Sequence, residues 1–177
     1  MVAPQKTNLR ISRLFADSGF FIKLQFGVLV LSLLPALACA DVELQQIRDL
    51  REEAALVQQQ QLPLLVLFST DYCEVCAAIK THVLKPMLKN DDYDNKVIVR
   101  ELPVNDYHTL IDFDGERIGG DRVSMRYKVD LIPTVILMDH RGRPLAPPLV
   151  GMVSQHHYDQ ALDQRIDLAL QRLRGAE

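Results

Sequence analysis

Cys73 and Cys76 are separated by two residues in the run Tyr72-Cys73-Glu74-Val75-Cys76. On a helix, residues i and i+3 lie one above the other at about 5 Å, a separation that a disulfide can bridge. A helix that opens at Cys73 would offer its sulfur unpaired amide N–H groups and the positive end of the helix dipole. Such a setting can lower a cysteine pKa from about 8.5 to between roughly 3.5 and 7.5, and the thiolate is the attacking species. Cys76, one turn further in, is the natural resolving thiol. The spacing therefore predicts reversible thiol–disulfide exchange with Cys73 and Cys76 as the catalytic pair. A CxxC is also half of a zinc site, but a closed zinc site takes four ligands and the sequence has no second pair. Two thiolates alone suit Cu(I), which favours soft ligands, so a copper carrier stands as the alternative.

The residues between and beside the cysteines tune this chemistry. Glu74 and Val75 are the candidate redox-tuning positions. A negative charge roughly 6 Å from the Cys73 thiolate costs about 0.7 kcal/mol at the dielectric of water and about 3 kcal/mol at an effective value of 20. That raises the thiolate pKa by about half a unit to two units. A less stabilised thiolate makes the dithiol more reducing, nearer about −270 mV than the −120 mV of a strong oxidant. Glu74 can equally serve as a favourable charge at a helix start. Tyr72 either packs into the core or faces a substrate. The five histidines, His82, His108, His140, His156 and His157, are scattered, and only the last two are adjacent. Asp112, Asp114 and Glu116 lack the spacing of a calcium loop with its distal Glu. No metal site and no cofactor beyond the Cys73–Cys76 redox pair is expected.

The surrounding pattern supplies elements to hold the pair. Asp41 to Gln61 reads as a helix, with Leu44, Ile47, Leu50, Ala54 and Val57 near one face. The unbroken apolar run Pro63–Phe68 suits a strand covered on both faces. Ser69 to Tyr72 can cap a helix from Cys73 to about Lys89, which Pro86 should kink or end. Lys96–Val104 is a second strand, and Asn105–Asp121, polar and glycine-containing, reads as a loop or irregular insertion. Arg122–Lys128 is a short helix and Pro133–Met138 a third buried strand. An edge strand follows around Pro148–Gly151. Ser154 is a candidate N-cap for a closing helix in which Tyr158, Leu162, Ile166 and Leu170 repeat at i, i+4. The class is α/β, with a central mixed sheet of four or five strands and helices on both faces.

The 177 residues suit one domain, and 48% hydrophobic with 24% charged residues predicts a packed core. Residues 1–40 carry Lys6, Arg10, Arg13 and Lys23 against Asp17, and then the apolar stretch Phe26–Ala38 ending in Ala38-Cys39-Ala40. That layout predicts a secretory signal peptide over 1–40, removed after Ala40, with an uncleaved anchor as the alternative. Residues 41–177 are then the functional domain, with the insertion at about 105–120. The remaining 137 residues carry 16 basic and 22 acidic side chains, a net of −6. An acidic body without a basic run gives no reason to expect nucleic-acid binding. Once Cys39 leaves, two cysteines remain, and a bridge across so short a loop stabilises little by chain entropy. Such a pair is there for exchange.

An apolar strand, Phe68-Ser-Thr-Asp-Tyr72, a CxxC opening a helix, and then Met125-Arg-Tyr-Lys-Val-Asp-Leu-Ile-Pro-Thr134 with Val-Ile-Leu-Met-Asp resemble the thioredoxin superfamily. The resemblance covers roughly Leu62 to Leu170 and implies a thioredoxin fold. It implies that Pro133 is a cis-proline beside the disulfide, with Ile132 and Thr134 its neighbours. Gly151 would line the same groove, so that Tyr72, Ile132, Pro133, Thr134 and Gly151 meet the substrate. Where thioredoxin places a buried acid on the strand before its motif, this chain has Leu67, which implies that this proton relay is absent. In length and motif context the chain is similar to periplasmic thioredoxin-like proteins, including those of bacterial sulfur-oxidation clusters. That similarity implies a periplasmic, monomeric protein-disulfide reductase whose partners are disulfide-containing exported proteins and a membrane thiol electron donor.

Overall fold

The computed structural model describes residues 42–105, 107–152 and 154–175. The expected signal peptide over 1–40 and Asp41, where the first helix was expected to start, lie outside the described residues.

β1 (Leu64–Ser69) is the centre of the molecule, with all six residues buried. An unbroken apolar strand of this kind needs cover on both faces, and its neighbours provide it. β2 (Ile98–Pro103) pairs with it in parallel, Leu67 opposite Glu101 and Ser69 opposite Pro103. On the other side β5 (Thr134–Met138) runs antiparallel, Phe68 opposite Thr134, and β6 (Leu149–Val150) continues antiparallel beyond it. The result is a mixed four-stranded sheet in the order β2-β1-β5-β6. One face is tied to α1 (Leu50–Gln60), whose Glu53 bonds Arg100 of β2 at 2.8 Å. The opposite face, on which Leu67 and Glu101 lie, carries the helical segment that follows Cys73.

That segment begins as α2 (Glu74–Ile79), widens through a π-turn over Lys80–Leu84 and finishes as α3 (Lys85–Leu88). Pro86 explains the change of pitch. It has no N–H and its ring collides with the carbonyl four residues back, here that of His82. The side chain of Gln155 donates to that His82 carbonyl at 3.1 Å. Gln155 opens α5 (Gln155–Arg174), which therefore lies beside the Cys73 segment, as a second bond from Tyr93 to Asp163 at 2.7 Å also shows.

Several expectations need correction. The first helix starts at Leu50, not at Asp41, because Asp49 caps it by accepting the Arg51 N–H at 2.8 Å. The residues before it are extended: the Gln45 carbonyl accepts from Glu101, Ile47 donates to Glu101, and the Arg48 carbonyl accepts from Ile111, each at 2.9 Å. Leu44 and Ile47 are buried through this pairing, not as one face of a helix. Within the stretch expected to be a loop or irregular insertion, regular structure begins at Thr109. β3 (Thr109–Ile111) and β4 (Arg117–Gly119) form an antiparallel hairpin anchored by buried Leu110, and α4 (Gly120–Arg126) follows at once. Ser154 makes no side-chain cap; its hydroxyl meets His157 Nδ1 at 2.7 Å. The buried stripe of α5 is Tyr158, Leu162, Ile166, Ala169 and Leu173, with Leu170 only half-buried. A strict four-residue step drifts off a 3.6-residue helix, and the stripe recovers by one step of three.

Candidate active site

Both cysteines sit where β1 ends, and the physical reasons are local. Cys73 has extended backbone angles (φ −93°, ψ 100°) and is itself the N-cap of α2. Its sulfur accepts the Cys76 N–H at 3.1 Å and its carbonyl accepts the Ala77 N–H at 3.0 Å. The sulfur thus lies among otherwise orphaned amide donors, the arrangement that stabilises a thiolate. Cys73 and Cys76 are joined as a disulfide with their Cα atoms 5.2 Å apart. Cys73 is half-buried, whereas Cys76 is 1% exposed. An outside sulfur can reach the first and not the second, so attack and resolution fall to different residues.

Tyr72 is fully exposed and holds a left-handed φ of 59°. A non-glycine residue costs about 1–2 kcal/mol in that conformation, and no packing repays it here. Of its two readings, core and surface, the structure gives the surface. Glu74 and Val75 are also exposed. A cavity of about 740 Å3 opens at Cys73, with Asp71, Tyr72, Glu74, Lys80 and Glu101 among its walls. Asp71 accepts the hydroxyl of Tyr107, which precedes the β3–β4 hairpin. The hairpin itself is pinned to α4 by Asp112, buried at 3% exposure. Asp112 accepts both Arg126 guanidinium nitrogens at 2.8 and 2.6 Å. The Arg126 bonds hold the Asp112 carboxyl below the usual carboxylate range, against the opposing effect of burial.

The second cluster expected at the site lies at the same end of the sheet, since Thr134 stands opposite Phe68. The Ile132–Pro133 peptide bond is cis. Pro133 is buried and its carbonyl accepts the Gly151 N–H at 2.8 Å. Gly151 has φ +65°, which favours glycine. Ile132 is partly buried against the core. Thr134 is 3% exposed and spends its hydroxyl on the Leu131 carbonyl at 2.7 Å, so it braces the turn before the strand. These four residues do not line the cavity at Cys73, which opens on the β2 side of the pair.

Sequence reasoning missed one group. Glu101 is 6% exposed, and its Oε1 accepts from Ser69 Oγ at 2.6 Å and Lys80 Nζ at 2.9 Å. It lies opposite Leu67, the position at which the resemblance implied that thioredoxin's buried acid is absent. The signal was a charged Arg100-Glu101 pair inside the apolar strand Val97–Leu102: a buried charge requires a partner. A smaller recess of about 420 Å3 is lined by Asp139, Arg141 and Arg143 but holds no nucleophile. Among the described residues no group of three or more His, Cys, Asp or Glu could hold a metal ion, and no helix is long and apolar enough to cross a membrane.

A mixed sheet with a CxxC at the end of its central strand, helices on both faces and a proline-led neighbouring strand is a thioredoxin fold. The sequence pattern of the thioredoxin-like domain matches residues 50–166, and the chain belongs to that family. Among solved structures it is similar to oxidised mitochondrial thioredoxin 3 from Saccharomyces cerevisiae, at 18% identity and a TM-score of 0.46, over 70% of this chain and 93% of that one. It is similar at 18% identity and a TM-score of 0.46 to a structure described by the thiol-resolving mechanism of yeast mitochondrial 1-Cys peroxiredoxin, over 71% and 94% of the two chains. No curated protein sequence matches the chain. Fold and bonded cysteine pair together support a thiol–disulfide oxidoreductase.

Proposed function

We propose that the protein is an exported protein-disulfide reductase. The observation that carries the reading is the asymmetry of the pair: Cys73 reachable at a helix start, Cys76 bonded to it and shielded. In the reduced protein the Cys73 thiolate attacks one sulfur of a partner's disulfide. That S–S bond breaks, a mixed disulfide forms, and the departing partner thiolate takes up a proton from solvent. Cys76 gives up its proton and attacks the Cys73 sulfur, releasing the second partner thiol. The partner has gained two electrons and Cys73–Cys76 is oxidised. A membrane thiol donor then restores the dithiol.

The reducing direction is supported by Glu74, exposed next to Cys73, whose charge disfavours the thiolate. Export to the periplasm is supported by the basic lead and apolar stretch of residues 1–38. A substrate groove formed by exposed Tyr72 with Ile132, Pro133, Thr134 and Gly151 is supported by their common place at the end of β1 and β5.

Insulin reduction with Cys73→Ser and Cys76→Ser variants tests the reading. Turnover is expected to vanish in both, with a trapped mixed disulfide in Cys76→Ser alone. Stoichiometric Cu(I) binding with negligible turnover would instead establish the copper carrier. Equilibration with glutathione tests the direction, and a potential above about −180 mV, the isomerase region, rules out a reductant.

A further inference from the structure

The lead into the β3–β4 hairpin brings an aromatic side chain to Cys73 from the side that Pro133 does not occupy. Of the five tyrosines in the sequence, Tyr158 is buried, and Tyr93 and Tyr127 pack partly against the core. The other two stand in solvent, Tyr72 fully and Tyr107 at 72% exposure, and both are at the cysteines. Tyr72 adjoins Cys73, and the Tyr107 hydroxyl donates to Asp71, two residues before that cysteine. Asp71, Tyr72 and Cys73 line one cavity. The backbone is tied down on either side of Tyr107. Val104 donates to the Ser69 carbonyl at 2.7 Å, and the His108 carbonyl accepts from Gly120 at 2.9 Å. The His108 ring meets the Ile47 carbonyl at 3.1 Å. A ring so placed adds little to the core, because most of its surface stays in water. Tyrosines with an apolar body and an engaged hydroxyl are enriched at interfaces. A side chain already held in place also loses little freedom when a partner covers it.

We propose that Tyr107 is a specificity-determining residue that receives the polypeptide flanking the attacked cysteine of a partner disulfide, with Asp71 as the positioning residue that holds its ring there. The proposal deepens the oxidoreductase function and rests on it. A partner's sulfur has to come to Cys73, the half-buried member of the pair, and the partner's chain leaves that point in two directions. Ile132, Pro133, Thr134 and Gly151 stand on the β5 side, whereas the cavity at Cys73 opens on the β2 side. Tyr107 follows β2 and reaches the wall of that cavity at Asp71. The occupant is a polypeptide long enough to extend past Cys73, and a small disulfide is too short to meet the ring. Tyr107 makes and breaks no bond, so its contact is equally strong before and during exchange. Such uniform binding changes the substrate concentration needed, not the maximal rate.

The test is a single turnover of the reduced full-length protein, quenched by alkylation, with the oxidised fraction read by mass. Insulin is the polypeptide disulfide and hydroxyethyl disulfide the small one. Tyr107→Ala should raise the half-saturating insulin concentration about five- to tenfold, the effect of losing an aromatic interface anchor. Its maximal rate with insulin, its rate with hydroxyethyl disulfide and its exchange constant with glutathione should match the wild type. Tyr107→Phe keeps the ring and should lie nearer the wild type than Tyr107→Ala. Asp71→Ala releases the ring and should raise the half-saturating insulin concentration in the same direction. Asp71→Asn keeps an oxygen that accepts the hydroxyl and should restore it. A bond that only pins the hairpin predicts lost stability, with equal effects on both disulfides. That result, or unchanged insulin saturation in Tyr107→Ala, overturns the proposal. Should Tyr107→Ala not fold, the contrast between Asp71→Ala and Asp71→Asn decides in the same way. A wild-type protein that reduces neither disulfide defeats the oxidoreductase function and the proposal with it, whereas an active wild type with an indifferent Tyr107 defeats the proposal alone.

Discussion

Replacing Arg126 by Gln should expose how much of the hairpin beside the active site depends on one ion pair. Asp112 is 3% exposed, and besides the two guanidinium bonds its carboxylate accepts only the Phe113 N–H among the bonds described, at 2.8 Å. Removing one partner of a buried pair costs about 3–5 kcal/mol, because a charge is left without compensation. The Arg126 side chain is 44% exposed, so solvent screens part of the interaction, and the Phe113 bond survives. A loss of about 2–3 kcal/mol is expected. Asp112→Asn strands the other charge, but that guanidinium can turn to water, so about 1 kcal/mol suffices. The pH dependence has a definite sign. Arg126 holds the folded-state pKa of Asp112 below its ordinary 3.8. The stability from this carboxylate is therefore complete above about pH 4 and is lost as pH falls through the lower folded value. Urea unfolding at neutral and at acidic pH checks both points. Equal losses in Arg126→Gln and Asp112→Asn, or an Arg126→Gln penalty that does not shrink in acid, would show that the pair does not bear this load.

Three further outcomes are accessible. Tyr72→Asn relieves a left-handed aromatic residue and should leave thermal stability unchanged or higher, while insulin reduction slows; unchanged turnover would remove Tyr72 from the substrate surface. Gly142→Ala should lower stability by about 1–3 kcal/mol in urea unfolding. Gly142 has φ +72°, and a Cβ there would sit 2.7 Å from the Phe113 ring and crowd the Tyr127 hydroxyl. Tyr158 is buried, with no hydrogen-bond partner for its hydroxyl among the described residues, so Tyr158→Phe should raise the urea midpoint by about 0.5–1 kcal/mol equivalent.

The cysteine pair and the central strands were legible because each carries a local signature, spacing in one case and an unbroken apolar run in the other. Pro133 was legible through the resemblance of its Ile-Pro-Thr to that of thioredoxins. The extended segment before Asp49 was not. Leu44, Ile47 and Leu50 repeat every three residues, which suits a helix, and only the distant backbone of Glu101 and Ile111 pulls the first two into extended form. The hairpin was hidden for a similar reason, since three-residue strands with Asp114-Gly115 between them look polar and loose until Leu110 and Asp112 are buried by tertiary partners. Glu101 was visible as a charge inside a strand, yet its partner Lys80 lies on another element. No local pattern announces such a meeting.

The residues from Gln45 to Arg48 have a consequence for how the molecule behaves among its own kind. Their backbone occupies the outer rim of β2 and links it to β3, so amides that would otherwise solicit a foreign strand are already engaged. A fragment cut to residues 50–166, the part that bears the family pattern, would keep both sulfurs but lose this selvage. Its bared β2 rim invites self-association by strand addition.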